Sequence, residues 1–466
     1  MSDTHFQALV IGAGTGGYPC GIRLGQLGVK VLLVEKAEIG GVCLNVGCIP
    51  SKALITAAKR VEEIQHAGDM GIQVGGEVSV DMAKLQAWKA KIVGKLTGGV
   101  GHLLKANGAV VVKGTARLTG PNSVEVTGDD GVTTYTADHI VLASGSRPIE
   151  IPGFAFADEP VLDSTKALAL QEIPKRLVVI GGGYIGLELG SMFAKLGTEV
   201  TVVEAMDQVL PGFDADAVKL ISRRLKKAGI KVLLGTKAKG WEKAADGITV
   251  TVEGKDGAVA LEADKVLVTV GRFPVTDGLG LDELGLEKEG RFLKVDAQRR
   301  TSVPHIFATG DVCGQPMLAH KATYEAELVA EVIAGHNRVF DARTVPAVVF
   351  TDPEIATAGM SEVEARARGE VLVGKVPFAA IGRALTTGES DGFYKVIADK
   401  ETREILGVVI CGPHASDLIS EAGLAIELHA EAGDMGLTIH PHPTLGEGLM
   451  EAAKAALGEA IHVMNG

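Results

Sequence analysis

ALVIGAGTGGYPCGIRLGQLGVKVLLVE (residues 8–35) and LVVIGGGYIGLELGSMFAKLGTEVTVVE (residues 177–204) share one layout. Each runs from an apolar stretch through clustered glycines into apolar residues at helical spacing, then into a second apolar stretch that closes on a glutamate. From Gly12 to Gly181 and from Glu35 to Glu204 the offset is 169 residues both times. A register kept by both copies predicts an internal repeat of strand, tight turn, helix and parallel strand. Gly12, Gly14 and Gly17 make the G-x-G-x-x-G spacing in the first copy, and Gly181, Gly183 and Gly186 in the second. The first glycine allows a sharp turn, the second lets backbone approach a pyrophosphate, and the third lets helix and strand pack closely. The phosphates then lie on amides of a helix N-terminus. Glu35 and Glu204 end the second strands, where a carboxylate can accept hydrogen bonds from ribose hydroxyls. The Glu204 carboxylate would also repel a 2′-phosphate, which favours NAD over NADP; the plain alternative is a surface glutamate at a strand end. Two dinucleotide sites in one chain suggest two different dinucleotides, and a flavin in one of them is the economical answer.

The 466 residues are too many for one core, so two to four domains are expected. Glycine accounts for 61 residues, about twice the usual ~7%, which suits a chain of tight turns. A formal net charge of -12 argues against nucleic acid as a partner and favours a basic protein surface. Met1 to Gln7 carry no basic segment followed by an apolar run, so no secretory leader is expected, and no run of about 18 apolar residues suggests a transmembrane helix. Five cysteines, an odd number, do not make a disulfide scaffold. The expected location is a reducing compartment, the cytoplasm, with no membrane partner.

Residues 40–52 read GGVCLNVGCIPSK. Cys43 and Cys48 follow the first dinucleotide unit directly, and Pro50 suits the first turn of a helix. A helix N-terminus lowers a thiol pKa. Lys52 adds a positive charge on the face of Cys48 if the segment is helical. Both effects predict a reactive thiolate. The alternatives are a metal site, which lacks a second close cysteine pair, and two inert buried thiols. Cys20, Cys313 and Cys411 are isolated, and buried packing is expected for each.

This stretch resembles the redox motif of the pyridine nucleotide–disulfide oxidoreductases, and most closely that of members that oxidise dihydrolipoamide. The resemblance extends over essentially the whole chain. LASGSRPIEIPG (142–153), with Ser144 and Gly145, looks like the passage from the FAD domain to the NAD domain. VTVGRFPVT (268–276), with Gly271, looks like the exit from the NAD domain. HIFATGDVCG (305–314) looks like the second FAD motif, whose aspartate, here Asp311, binds the ribityl chain. MLAHKATYEAE (317–327) resembles a helix whose N-terminal amides, from Ala319, face the flavin, and VVFTDPEIATAG (348–359) the opening of the dimer-interface domain. The resemblance implies an α/β fold with two Rossmann-like dinucleotide-binding domains plus an α+β C-terminal dimerisation domain. Its expected parts are an FAD-binding domain (1–149), an NAD-binding domain (150–273), a central return to the FAD domain (274–343) and a dimer-interface domain (344–466).

HPHPTLGE (440–447) flanks His442 with two prolines, so the segment is expected to be rigid and non-helical. Thr444 and Glu447 match a capping box, T-x-x-E. His442 reads as a general base whose tautomer a carboxylate fixes. An ordinary helix-start role for Glu447, or a metal pair of His440 and His442, are the alternatives. In the family, the histidine and glutamate matching His442 and Glu447 form the catalytic pair and reach the other subunit's disulfide, which implies a homodimer with shared active sites. The resemblance further implies that Cys43 exchanges with substrate, that Cys48 faces the flavin, that Lys52 and Glu188 pair beside it, and that Tyr184 gates the nicotinamide pocket. The implied reaction oxidises protein-bound dihydrolipoamide and reduces NAD. The lipoyl group is expected from a partner, either a lipoylated acyltransferase of a 2-oxo acid dehydrogenase or a glycine-cleavage carrier protein. A reductase of another disulfide using NAD(P)H and a non-catalytic FAD/NAD redox sensor are the competing readings.

Overall fold

The computed structural model describes residues Thr4–Asn465; Met1–Asp3, which open the stretch read for a leader, lie outside the described residues. The chain forms two compact units. The first holds residues up to Glu150, Leu162–Glu172 and Val270–Asp341, and the second Ile151–Val161, Ile173–Thr269 and the chain from Ala342 onward.

The first unit is organised by a sheet whose parallel part runs in the order Val110–Lys113, Val31–Glu35, His5–Ile11, Gly131–Leu142 and Ile306–Ala308. Its central strands are Val/Ile/Leu-rich and buried on both faces, as a parallel sheet requires. Ala8 pairs with Val31 and Ile11 with Val34, so the first copy of the repeat is a strand–helix–parallel strand unit. The helix Tyr18–Gln26 begins with Pro19 in its first turn and buries Cys20, Gly21 and Leu24. A Cβ on Gly21 would fall 2.4 Å from the Leu33 side chain, so helix and sheet are in direct contact.

In the second unit Lys231–Leu233, Glu199–Val203, Arg176–Ile180 and Lys265–Val268 are parallel neighbours, with the helix Tyr184–Lys195 between the first two strands of the second copy. The same unit carries a five-stranded antiparallel sheet, in the order Ala347–Val349, Glu354–Gly359, Ile405–Gly412, Phe393–Asp399 and Val371–Pro377. The helices Ala415–Glu427 and Glu447–Ala456 pack on it. Tyr394 stacks on Phe378 with ring centroids 4.2 Å apart, and Gly448 lies flat on the Tyr394 ring. The Tyr394 hydroxyl donates to the Leu445 carbonyl at 2.7 Å, which fixes the turn after His442 onto the sheet. Two Rossmann-like units and an α+β C-terminal domain are thus all present, as expected.

The helical stretch Gly41–Gln65 is long and apolar enough, by length and composition alone, to cross a membrane. It breaks at Val46–Gly47, contains Lys52, and turns Leu54 and Ala58 into the protein. These are the marks of a helix on a protein core.

The repeat makes a clear stability prediction. Gly17 approaches the Gly12 carbonyl so closely that an added Cβ would sit 1.8 Å from its oxygen. Gly17→Ala should lower stability by about 2 kcal/mol or more. Gly94→Ala, where a Cβ meets nothing within 4 Å in the helix Met82–Ala106, should be neutral or slightly stabilising. Thermal melts of the two variants beside wild type check this.

Candidate active site

The two glycine turns have one construction. Gly12 and Gly181 adopt φ of 99° and 106°, which only glycine takes without strain. Gly17 and Gly186 lie against the carbonyls of Gly12 and Gly181. The third glycine therefore closes the turn on itself as much as it admits the strand. A Cβ on Gly183 would meet nothing within 4 Å, and no side chain caps the helix that follows either turn. Open backbone at a helix N-terminus suits a pyrophosphate, so the residues fit the two dinucleotides expected. Glu35 accepts the Ala13 and Ala37 amides, each at 2.7 Å. Glu204 accepts those of Gly182 at 2.6 Å and Met206 at 2.7 Å. Each carboxylate braces its own turn and keeps lone pairs for a ribose.

Gly40 and Gly41, at φ of 98° and 57°, bend the chain from the first repeat into a short helix, Gly41–Asn45, that carries Cys43. The Gly40 amide donates to the Ala13 carbonyl at 2.8 Å, and a Cβ on Gly41 would fall 2.6 Å from the Gly14 Cα. The redox segment is thus packed onto the dinucleotide turn. Cys48 is the first residue of the helix Cys48–Gln65, with Pro50 in its first turn, as expected. The two thiols form no disulfide; Cys48 is exposed and Cys43 half-buried. The thiolate that the helix N-terminus and Lys52 favour is opposed at Cys43. Its hydrogen bond with Cys48, then burial and the charge on Cys48, push the Cys43 thiol well up, and Lys52 only partly opposes them. Two adjacent thiols share one negative charge readily and two with difficulty.

Ser144 donates to the Val275 carbonyl at 2.7 Å, and Gly145, at φ 71°, accepts the Val275 amide. Gly271, at φ 125°, accepts the Ile149 amide. These three residues join the strands Ser146–Pro148 and Arg272–Pro274, in the first unit. Asp311 accepts the Ser146 hydroxyl, and Arg272 donates to that same hydroxyl at 2.7 Å. Ser146 and Arg272 carried no signal of their own in the sequence; only the fold brings them to Asp311. Ala319 opens the helix Ala319–Ile333, which has no side-chain cap. Cys20 and Cys411 are buried, as expected, and burial pushes both thiols up to about 12.

In the second unit His442 and Glu447 meet, with Nδ1 2.9 Å from Oε1. The ring is 77% exposed, so Nε2 is directed away from its carboxylate. Burial pushes the Glu447 carboxyl up, but the Thr444 amide and the His442 ring outweigh it and hold the group below its ordinary value. The capping box is only half made. Glu447 accepts the Thr444 amide at 2.8 Å, but the Thr444 hydroxyl donates to the Pro441 carbonyl, and the helix begins at Glu447 behind Gly446. Two further His–Glu pairs flank this one. His440 lies 2.9 Å from Glu421, and His462 lies 3.0 Å from Glu451, one helical turn beyond Glu447. His440 and His442 are thus each paired with a carboxylate, and no group of three side chains suited to a metal occurs among the described residues. Glu188 is buried and accepts the Phe350 amide at 2.9 Å, while Tyr184 is exposed at the head of its helix. Lys52 belongs to the first unit and Glu188 to the second.

A dithiol seated on one dinucleotide turn, in a chain with a second such turn, defines a disulfide oxidoreductase with two nucleotide cofactors. Residues 6–326 match the pyridine nucleotide–disulphide oxidoreductases, and residues 345–453 match the dimerisation domain of the same family. The chain belongs to this family. It is an oxidoreductase that uses FAD and NAD, and its dimerisation domain supports a homodimer. It is 52% identical to a dihydrolipoyl dehydrogenase of Geobacillus stearothermophilus, covering 98% of this chain and 97% of that one. It is 51% identical to a dihydrolipoyl dehydrogenase of Haloferax volcanii, covering 99% and 98%. Among solved structures, LpdA of Mycobacterium tuberculosis is similar with a TM-score of 0.90 at 27% identity, over 96% of this chain and 99% of that one. The flavoprotein disulfide reductase RclA of Escherichia coli is similar with a TM-score of 0.87 at 28% identity, over 97% and 99%.

The Glu451–His462 pair carries a pH signature. Burial pushes the Glu451 carboxyl up, but the His462 ring and the amides of His462 and Ile461 hold it below its ordinary 4.5. A carboxyl depressed in the folded state stabilises the fold fully above the unfolded value and loses that effect as pH falls through the folded value. Glu451→Gln should therefore melt below wild type at neutral pH, and the gap should close in acid below 4.5. Melting curves of both proteins across that range are the measurement.

Proposed function

We propose that this chain oxidises protein-bound dihydrolipoamide to lipoamide through a Cys43–Cys48 disulfide and delivers the electrons to NAD by way of FAD. The observation that carries this reading is the pair of thiols at the head of a helix, packed on the first glycine turn. His442, its Nδ1 engaged by Glu447, takes a proton from the substrate dithiol. The thiolate formed attacks the Cys43 sulfur, and Cys48 leaves as a thiolate. The second substrate thiol then attacks the mixed disulfide, releases Cys43 and closes the cyclic disulfide of the product. The substrate has lost two electrons and two protons, and the cysteine pair has gained two electrons. FAD, when bound, accepts electron pairs from a dithiol, and NAD carries them away.

Gly12, Gly14, Gly17, Glu35, Asp311 and the Ala319 amide would hold FAD. Gly181, Gly183, Gly186 and Glu204 would hold NAD. Ser144, Gly145 and Gly271, in the passages between the two domains, would also bind the cofactors. Lys52 and Glu188 would flank the flavin, and Tyr184 would cover the nicotinamide pocket. The four-part division at 149, 273 and 343 belongs to the same reading. The base would act on the disulfide of the other subunit, so that each active site is shared. The lipoyl donor would be a lipoylated acyltransferase of a 2-oxo acid dehydrogenase or a glycine-cleavage carrier protein, met in the cytoplasm. The relatives are bacterial and archaeal proteins of nearly the same length.

Mixing the protein anaerobically with dihydrolipoamide should produce a long-wavelength absorption band, and NADH should form once NAD is added. Cys43→Ser should lose NADH formation while keeping its FAD. Flavin bound without thiol-dependent NADH would reject this substrate. Removing the base in His442→Gln should lower kcat roughly 10²–10⁴-fold at unchanged FAD content; steady-state kinetics with dihydrolipoamide decide it.

A further inference from the structure

Behind the Asp311 turn lies a charged cluster that the reaction does not use. Glu325 is 1% exposed and Lys321 5%. Both stand on the helix Ala319–Ile333, one turn apart, with Lys321 Nζ 2.9 Å from Glu325 Oε1. The Arg299 Nε lies 3.2 Å from that same oxygen. Taking such charges out of water is costly, and a packed apolar pair would often stabilise a fold as well or better. What else these atoms touch gives the pair its reason.

Glu325 Oε2 accepts the Gly310 amide at 2.7 Å, immediately before Asp311. Lys321 Nζ reaches the Gly314 carbonyl at 3.4 Å, at the other end of the same turn. The Cys313 thiol donates to the Gly310 carbonyl at 3.3 Å and points at Glu325 Oε2 from 3.7 Å. Gly310 and Gly314, at φ of 78° and 141°, leave the turn with two ends that are free to rotate. We infer that Lys321 and Glu325 are positioning residues: they grip both ends of residues 310–314 and so set the Asp311 carboxylate for the bound FAD. The inference rests on the reading that Asp311 holds FAD.

The test is FAD affinity of the apoprotein, read by flavin fluorescence on reconstitution. Asp311→Asn measures the contact itself. K321M/E325M removes both grips while replacing the ion pair with apolar groups of similar size; K321M/E325Q keeps an acceptor for the Gly310 amide. K321M/E325M should bind FAD about tenfold more weakly, the size of one buried donor left unpaired, and K321M/E325Q should recover much of that loss. Adding Asp311→Asn to K321M/E325M should cost little more than Asp311→Asn alone, because both act through one carboxylate. Wild-type affinity in K321M/E325M, or penalties that simply multiply, overturns the inference. If K321M/E325M does not fold, K321M alone, which releases the Gly314 carbonyl and leaves Glu325 paired with Arg299, must show the same shortfall when combined with Asp311→Asn; multiplied penalties there also overturn it. Wild-type affinity in Asp311→Asn is a separate result. It sinks the FAD reading of Asp311, and the clamp with it.

Discussion

Ala13 is the joint on which the first unit turns. Its amide donates to Glu35 at 2.7 Å, and its carbonyl accepts the Gly40 amide at 2.8 Å. The carboxylate at the end of one strand thus holds the glycine turn after another, and the turn holds the start of the redox segment. No step in this chain spans many residues in space, so the helix N-terminus offered to a pyrophosphate and the dithiol share one local frame. The second copy keeps the first half of the device, with Glu204 on the Gly182 amide at 2.6 Å. It has no redox segment to carry, and there the corresponding backbone stays open around Gly183.

Much of this was legible in the sequence because it is local. Glycine spacing, the strand–helix–strand rhythm and the terminal acids all act within about thirty residues, and the fold honours each. The His442–Glu447 contact was legible for the same reason, lying across five residues of a proline-stiffened turn. What the sequence hid is long-range or competitive. Ser146 and Arg272 reach Asp311 only after the chain has left the first unit and returned. The rise in the Cys43 pKa comes from its neighbour thiol and from burial, which together outweigh the lysine and helix terminus that the sequence displays. The Thr444 hydroxyl donates to the Pro441 carbonyl and accepts no amide of the helix as a cap.

The buried charges divide into two kinds. Arg176, on Asp264 at 2.8 Å, ties a strand start to a strand start and lies near the surface. Lys395, with Asp214 at 2.8 Å and Glu362 at 3.2 Å, is almost wholly enclosed. It binds the N-cap of the helix Ala215–Lys227 to the antiparallel sheet within the second unit. Burial would lower the Lys395 pKa, and hydrogen bonds to Asp214 and to Asp216, 3.1 Å away, more than reverse this, raising it to about 12. An ammonium so held stays charged through the neutral range, so this junction is insensitive to pH.

The exposure of His442 finally links chemistry to assembly. A ring 77% in solvent, with one nitrogen engaged by a carboxylate, handles protons well but excludes no water from a thiolate. Beside it in sequence stand Leu437 at 83% and Ile439 at 94% exposure, and Ile461 and Met464 near the other end of the helix are as open. Apolar side chains left this bare in a well-packed domain call for a covering surface. A second copy docked through the dimerisation domain would bury them and close over the histidine in one step. The dimerisation domain and this bare apolar face thus argue for the same homodimer.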